Sequence, residues 1–159
     1  SEKITAIYSS DLDRAQKTAE IISSAHNLKV SLNPELRELN FGLLEGKSFE
    51  EIRHLYPVES STWFSSPDSA APGGESLKDL AKRLKSFLSI LNKSRQEDSI
   101  LLVSHKGALR ALLCLLIGLK LQDYWKISID PASLTIVETY EKGAILQLLN
   151  DTSHLGLTC

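Results

Sequence analysis

Apolar residues along the chain fall into two rhythms. Short apolar or alternating runs occur at residues 4–8 (ITAIY), 29–32, 100–103 (ILLV), 133–140 (SLTIVETY) and 144–150 (AILQLLN). Runs of that length, bounded by turn residues, predict strands. The run at 100–103 is continuous, which predicts a strand buried on both faces of a parallel sheet. Longer stretches follow the helical period. Residues 12–26 place Ala15, Ala19, Ile22 and Ala25 on one face, and residues 48–56 turn Phe49, Ile52 and Leu55 inward. A third helix opens after Gly73-Gly74-Glu75-Ser76, with Leu77, Leu80, Leu84, Phe87 (or Leu88) and Leu91 as its stripe. A fourth follows Gly107, with Leu109, Leu112, Leu113 and Leu116 on one side.

The ends of these elements are marked in sequence. Ser9, Ser10 and Asp11 offer N-cap oxygens to the first helix. Ser48 with Glu51, and Ser76 with Asp79, have capping-box spacing, while Pro57 is expected to stop the second helix. Gly118 is expected to end the fourth, and Glu141-Lys142-Gly143 marks a hairpin turn. The order is βαβ, a helical insertion, βα, then ββ. It predicts an α/β fold of three layers, α/β/α, whose sheet is mostly parallel with a late antiparallel edge. Residues 1–159 form one domain, with a helical or lid insertion at about 47–75; within it, 58–72 is rich in Ser and Pro and reads as a loop or lid packed by Trp63 and Phe64.

Candidate chemistry collects at the turns. Strand, tight turn and helix over residues 99–116 put His105 at the carboxyl end of a parallel strand, where helix N-terminal amides attract anions. A phosphoryl group is the expected ligand. Arg14 falls in the first turn of its helix, where its charge opposes the helix dipole; a planar guanidinium there suits a bidentate phosphate clamp, and a solvated arginine is the alternative. Residues 35–46 (ELRELNFGLLEG) have no sustained period and form a structured loop. Within it Glu38 sits among Leu36, Leu39 and Phe41, neighbours expected to desolvate it and raise its pKa, with an ion pair to Arg37 or another basic residue as the alternative. Two glycines before Glu75 would let backbone approach a ligand closely.

Composition narrows the partners. At 159 residues the chain can bury a real core, and 42% hydrophobic with 24% charged residues is typical of a globular domain. A net charge of −2 without a basic tract argues against nucleic acid or acidic membranes as partners. No apolar run approaches the ~20 residues that span a bilayer. Cys114 and Cys159 make neither a disulfide framework nor a metal cluster, so a cytoplasmic setting is expected. The chain has no Met and opens almost directly into an apolar run, as a sequence entered partway through would.

Taken in order, residues 9–19 (SSDLDRAQKTA), 36–46 (LRELNFGLLEG), 73–76 (GGES) and 103–110 (VSHKGALR) resemble the histidine phosphatase superfamily, the phosphoglycerate-mutase-like group. The similarity runs nearly end to end, through Ser133-Leu134-Thr135 and residues 149–155 (LNDTSHL). FGLLEG, a Trp-bearing loop and PGGES are most similar to the α-ribazole phosphatase and broad-specificity phosphatase branch. The resemblance implies the phosphoglycerate-mutase-like fold and a phosphomonoesterase acting on a small phosphorylated metabolite, α-ribazole 5'-phosphate among the candidates. The phosphoryl group passes to a histidine and the phosphohistidine is hydrolysed, with no metal or other cofactor. Arg14 and His105 are implied as phosphate binders, His105 with a catalytic contact to the phosphoryl oxygens. Glu38 is implied as the acid that protonates the leaving group and later activates water. Ser10, Glu75 and Lys106 are candidates for substrate or loop contacts. A catalytically inactive phosphate-binding relative and a phosphoglycerate mutase are the alternatives, and a homodimer is compatible with all three.

One departure stands out. The superfamily's nucleophile lies in an Arg-His-Gly motif after its first strand, and no Arg-His-Gly occurs in the 159 residues. His26, His54 and His154 have no comparable setting. The resemblance therefore implies a strand, loop and helix, about 30–50 residues, outside this chain. Its strand belongs in the middle of the sheet, so without it an open slot with two unpaired edges is expected, and the chain alone is expected to be inactive. Lys106 stands where glycine is common after the second histidine; it either adds charge for an acidic substrate group or points to solvent.

Overall fold

The computed structural model describes residues 3–63, 66–91 and 98–156. Ile4–Ser9 forms β1, Asp13–His26 α1 and Val30–Leu32 β2. Two single 3-10 turns, Pro34–Leu36 and Gly42–Leu44, shape the loop that follows. Then come α2 (Phe49–Leu55), α3 (Pro57–Trp63), α4 (Leu77–Leu91), β3 (Ser99–Val103) and α5 (Lys106–Ile117). A 3-10 segment, Leu121–Lys126, leads to the hairpin β4 (Leu134–Tyr140) and β5 (Gly143–Asp151).

Both capping boxes form. Ser48 accepts from the Glu51 amide at 3.3 Å while Glu51 reaches back to the Ser48 amide at 2.7 Å. Ser76 and Asp79 repeat this before α4, each hydroxyl or carboxylate accepting at 3.1 Å. Gly118 ends α5 at φ 73°, a left-handed conformation that glycine adopts at no steric cost. The start of α1 differs from expectation. Its N-cap is Leu12, without a side-chain cap, and Ser10 Oγ accepts from the Leu12 amide at 3.2 Å. α2 ends at Leu55, with Tyr56 as its C-cap just before Pro57, as expected; Pro57 then opens a further helix, α3, since a first-turn position needs no N–H from it. The 58–72 stretch is thus helical in its first part, and the Trp63 side chain and Phe64 lie outside the described residues.

β1 pairs in parallel with β2 on one side and β3 on the other, giving the order β2-β1-β3. Leaving β2, the chain returns to the opposite side of β1. The carboxyl ends of β1 and β3 therefore form the switch point where α/β sheets bind ligands. The register aligns those ends: Ser9 lies opposite Val103, and the Ser10 amide donates to the Val103 carbonyl at 2.9 Å. Hence the β1–α1 turn and the β3–α5 turn sit side by side.

Successive strand residues face opposite ways. Ile7 is buried on the α1 side, where Ala15, Ala19 and Ser23 face the sheet; Ile22 is half-buried and Ala25 exposed, so the small residues, spaced by four, make the contact. Tyr8 faces the other way and meets Phe87 of α4 edge-on, ring centroids 5.5 Å apart. Here lies the main core: Leu80, Leu84 and Phe87 of α4 with Ala111, Leu112 and Cys114 of α5. Ile52 joins it, whereas Phe49 and Leu55 of α2, expected inward, are more than half exposed. A seven-residue helix offers only one residue to so narrow a contact.

The antiparallel hairpin forms its own two-stranded sheet, joined to the core through Val137 and Leu146. β3 shows a matching surprise. Every residue from Ser99 to Val103 is only half-buried, not buried on both faces, because β3 ends the parallel sheet with no partner on its outer side among the described residues. No helix among them is long and apolar enough to cross a membrane.

Candidate active site

The switch point carries His105. It is the N-cap residue of α5, 7% exposed, and its Nε2 lies 2.9 Å from Ser10 Oγ. This bond ties the two turns together, so Ser10, a candidate contact residue, holds the histidine. Burial lowers the His105 pKa below its ordinary 6.5, and the Arg14 charge lowers it further; Glu38 and Asp11 pull the other way. A ring depressed in this way is neutral near pH 7 and offers one donor and one acceptor. Ser10, bonded to His105, opens the turn that leads into the helix of Arg14, and Glu38 meets the amides of Gly107 and Ala108, two and three residues past His105.

Arg14 is exposed in the first turn of α1, and its guanidinium has no hydrogen bond or ion pair among the described residues. Among the described residues it is a cation at the rim without a counter-ion. Arg37, the expected alternative partner of Glu38, pairs instead with Asp11 through two bonds of 2.7 and 2.6 Å. That pair holds the Asp11 carboxyl below its ordinary range. It also takes one acid of the turn out of competition for Arg14.

The amides at the start of α5, expected to be open to an anion, already hold one. Glu38 Oε2 accepts from the Gly107 amide and Oε1 from the Ala108 amide, both at 3.1 Å; Oε1 also accepts from Leu39 N at 2.8 Å. The carboxylate thus rests on polar donors, not in the purely apolar surroundings expected for it. Gly107 makes room for it, since a Cβ there would come 2.3 Å from Glu38 Oε1 and 2.9 Å from the Tyr124 hydroxyl. Tyr124 is buried, and burial first, then the Glu38 charge, push its pKa up to about 12.

The loop carrying Glu38 is held on several sides. Ser104 Oγ donates to the Leu36 carbonyl at 2.7 Å. Arg83 of α4 donates to the carbonyls of Glu35 at 2.5 Å and Glu38 at 2.9 Å, and pairs with Glu75 at 2.7 Å. Glu75 accepts from the Asn40 amide at 2.9 Å. So Glu75, a candidate for substrate contact, is engaged within the loop. The nearby glycines serve a backbone contact in place of a ligand: a Cβ on Gly74 would lie 2.3 Å from Asn40 O, and one on Gly42 2.3 Å from Pro72 O. Lys106 is exposed.

Sequence reasoning missed Arg83, Ser104, Tyr124 and the Asp11–Arg37 pair. Arg83 had a signal, because it stands three residues after Leu80 and beside Leu84, on the apolar stripe of α4 where a lone charge needs partners. Tyr124 and the Asp11–Arg37 pair had none, since their partners are distant in sequence. Among the described residues, no three His, Cys, Asp or Glu side chains are grouped to hold a metal.

A family model described as the histidine phosphatase superfamily (branch 1) matches residues 1–152. Phosphoserine phosphatase 1 of Hydrogenobacter thermophilus is 34% identical over 98% of this chain and 74% of its own length. A probable phosphoglycerate mutase GpmB of Yersinia enterocolitica is 34% identical over 99% of this chain and 76% of its own. A crystal structure of a putative alpha-ribazole-5'-P phosphatase from Escherichia coli superposes with a TM-score of 0.83 at 28% identity, covering 93% of this chain and 73% of that one. With a family model matched over almost the whole length and relatives at 34% identity, the chain belongs to the histidine phosphatase superfamily.

Proposed function

We propose that the protein is a phosphomonoesterase that hydrolyses a small phosphorylated metabolite through a phosphohistidine, with the nucleophilic histidine supplied by residues outside these 159. The observation that carries this reading is the docking of two segments at the β3–α5 turn: Ser10, at the start of the turn that leads to Arg14, bonds His105, and Glu38 rests on the Gly107 and Ala108 amides. Arg14, free of a counter-ion, and the neutral His105 hold the phosphoryl oxygens. A positive, preorganised rim stabilises a transferring group whose charge spreads over several oxygens. In the first step the bond from phosphorus to the leaving oxygen breaks as a bond to the nucleophilic nitrogen forms, and the Glu38 carboxyl gives its proton to the departing oxygen. In the second, the Glu38 carboxylate takes a proton from the attacking water, and the phosphorus–nitrogen bond breaks. Oε1 is held by two amides and Oε2 by one, so Oε2 has the room for that proton.

The lack of Arg-His-Gly in the sequence and the outer edge of β3, unpaired among the described residues, support a nucleophile on a further strand. Phosphoserine and α-ribazole 5'-phosphate, named for relatives, are the first substrates to assay. The mutase relative keeps a second reading open, in which phosphate passes between substrate hydroxyls and is not released. Vanadate or phosphate binding tests the pocket. Arg14→Ala and His105→Ala are each expected to weaken it at least tenfold, about 1.4 kcal/mol. Unchanged affinity in both variants overturns the assignment.

A further inference from the structure

We infer that Arg83 is a positioning residue for the acid Glu38. This rests on the acid role proposed above and assigns the device that aims it. A general acid works only within hydrogen-bond reach of the departing oxygen, so its backbone must be held as well as its carboxyl. Loop 35–40 has no helical or strand ladder beyond one 3-10 turn to do this. Arg83 replaces the ladder. One guanidinium nitrogen donates to the Glu35 carbonyl at 2.5 Å and another to the Glu38 carbonyl at 2.9 Å, the two sides of the segment that presents the acid.

The guanidinium is itself aimed. Glu75 takes its Nε at 3.1 Å and a terminal nitrogen at 2.7 Å, and both side chains are less than a fifth exposed. Glu75 also accepts from the Asn40 amide, so the pair pins the loop at residues 35, 38 and 40. The fork geometry matters here: a lysine keeps the charge but cannot bond two carbonyls and a carboxylate at once. Arg83 does not itself bond the Glu38 carboxyl, whose oxygens face Gly107, Ala108 and Leu39.

The test uses leaving groups in the complete enzyme with its nucleophile. An alkyl phosphate such as phosphoserine needs a proton on its departing oxygen, whereas p-nitrophenyl phosphate leaves as a stable anion and hardly needs one. Arg83→Lys should lower kcat on the alkyl phosphate by about tenfold or more, and on the aryl phosphate by about threefold or less. In a Glu38→Gln background it should cost nothing further on either, because residues acting as one unit are not additive. Should Arg83→Lys fold poorly, Glu75→Gln, which leaves the guanidinium in place, should show the same selectivity at smaller size. Equal losses on both substrates, or full additivity with Glu38→Gln, overturn the inference. If Glu38→Gln alone lacks the alkyl preference, the acid role itself falls and Arg83 loses its function with it. If Glu38→Gln shows that preference and neither Arg83→Lys nor Glu75→Gln does, only the positioning role is lost.

Discussion

The loop at residues 35–46 and strand β3 invert the usual relation between regularity and order. The loop has no sustained pattern, yet Leu36 and Leu39 are buried at 0% and 1% exposure and their backbone is tied by Arg83, Glu75 and Ser104. β3 has a continuous apolar run, yet none of its five residues is fully buried. Apolar content sets what a segment could bury, while the neighbours decide what it does bury. The loop is enclosed by α4 and α5; among the described residues β3 has a strand neighbour on one side only. The candidate site lies where the two meet.

Truncation of one leucine in each region gives the largest test of that contrast. Leu36→Ala should cost about 2–5 kcal/mol of folding stability, as for fully buried leucines. Leu101→Ala in β3 should cost less, about 1–2 kcal/mol, since part of its surface already meets water. Chemical denaturation of the two variants decides it. Equal losses would mean that β3 is covered in solution and that the contrast is false.

The same contrast explains what could be read beforehand. Strands, helices, both capping boxes and the Gly118 stop follow from local spacing, and the structure repeats them. His105, Arg14 and Glu38 could be named as candidates because each stands in an ordered motif. What stayed hidden depends on long-range partners. Gly107 and Ala108 amides meet a carboxylate about seventy positions earlier, and no local pattern announces it. The same holds for Arg37, which sits next to Glu38 and bonds Asp11. The separation of the hairpin into its own sheet is a pairing choice between strands, and periodicity is silent on pairing.

Acid pH should act at the junction of the two regions. His105 has a folded pKa below 6.5, so the unfolded chain binds its proton more readily. Stability from this group is complete above pH 6.5, declines as the pH falls through that value, and levels off below the depressed folded pKa. Other groups titrate nearby, so the useful quantity is the difference between wild type and His105→Gln across that window. Its difference curve should slope towards lower wild-type stability on acidification. A flat difference would mean that the imidazole is not held neutral against Ser10.

The smallest effect probes the enclosed side alone. Tyr124 has a pKa of about 12, raised by burial first and by the Glu38 charge second. Glu38→Gln removes the second cause and leaves the first. The Tyr124 pKa should therefore fall part of the way towards 10, read from phenolate absorbance in an alkaline titration, with Tyr124→Phe assigning the signal. An unchanged value would place the Glu38 charge away from Tyr124, and with it away from the start of α5. A fall all the way to 10 would instead mean that the loop had opened to water once the carboxylate was lost. In that case the three amide bonds of Glu38, beyond aiming an acid, also close the loop over Tyr124.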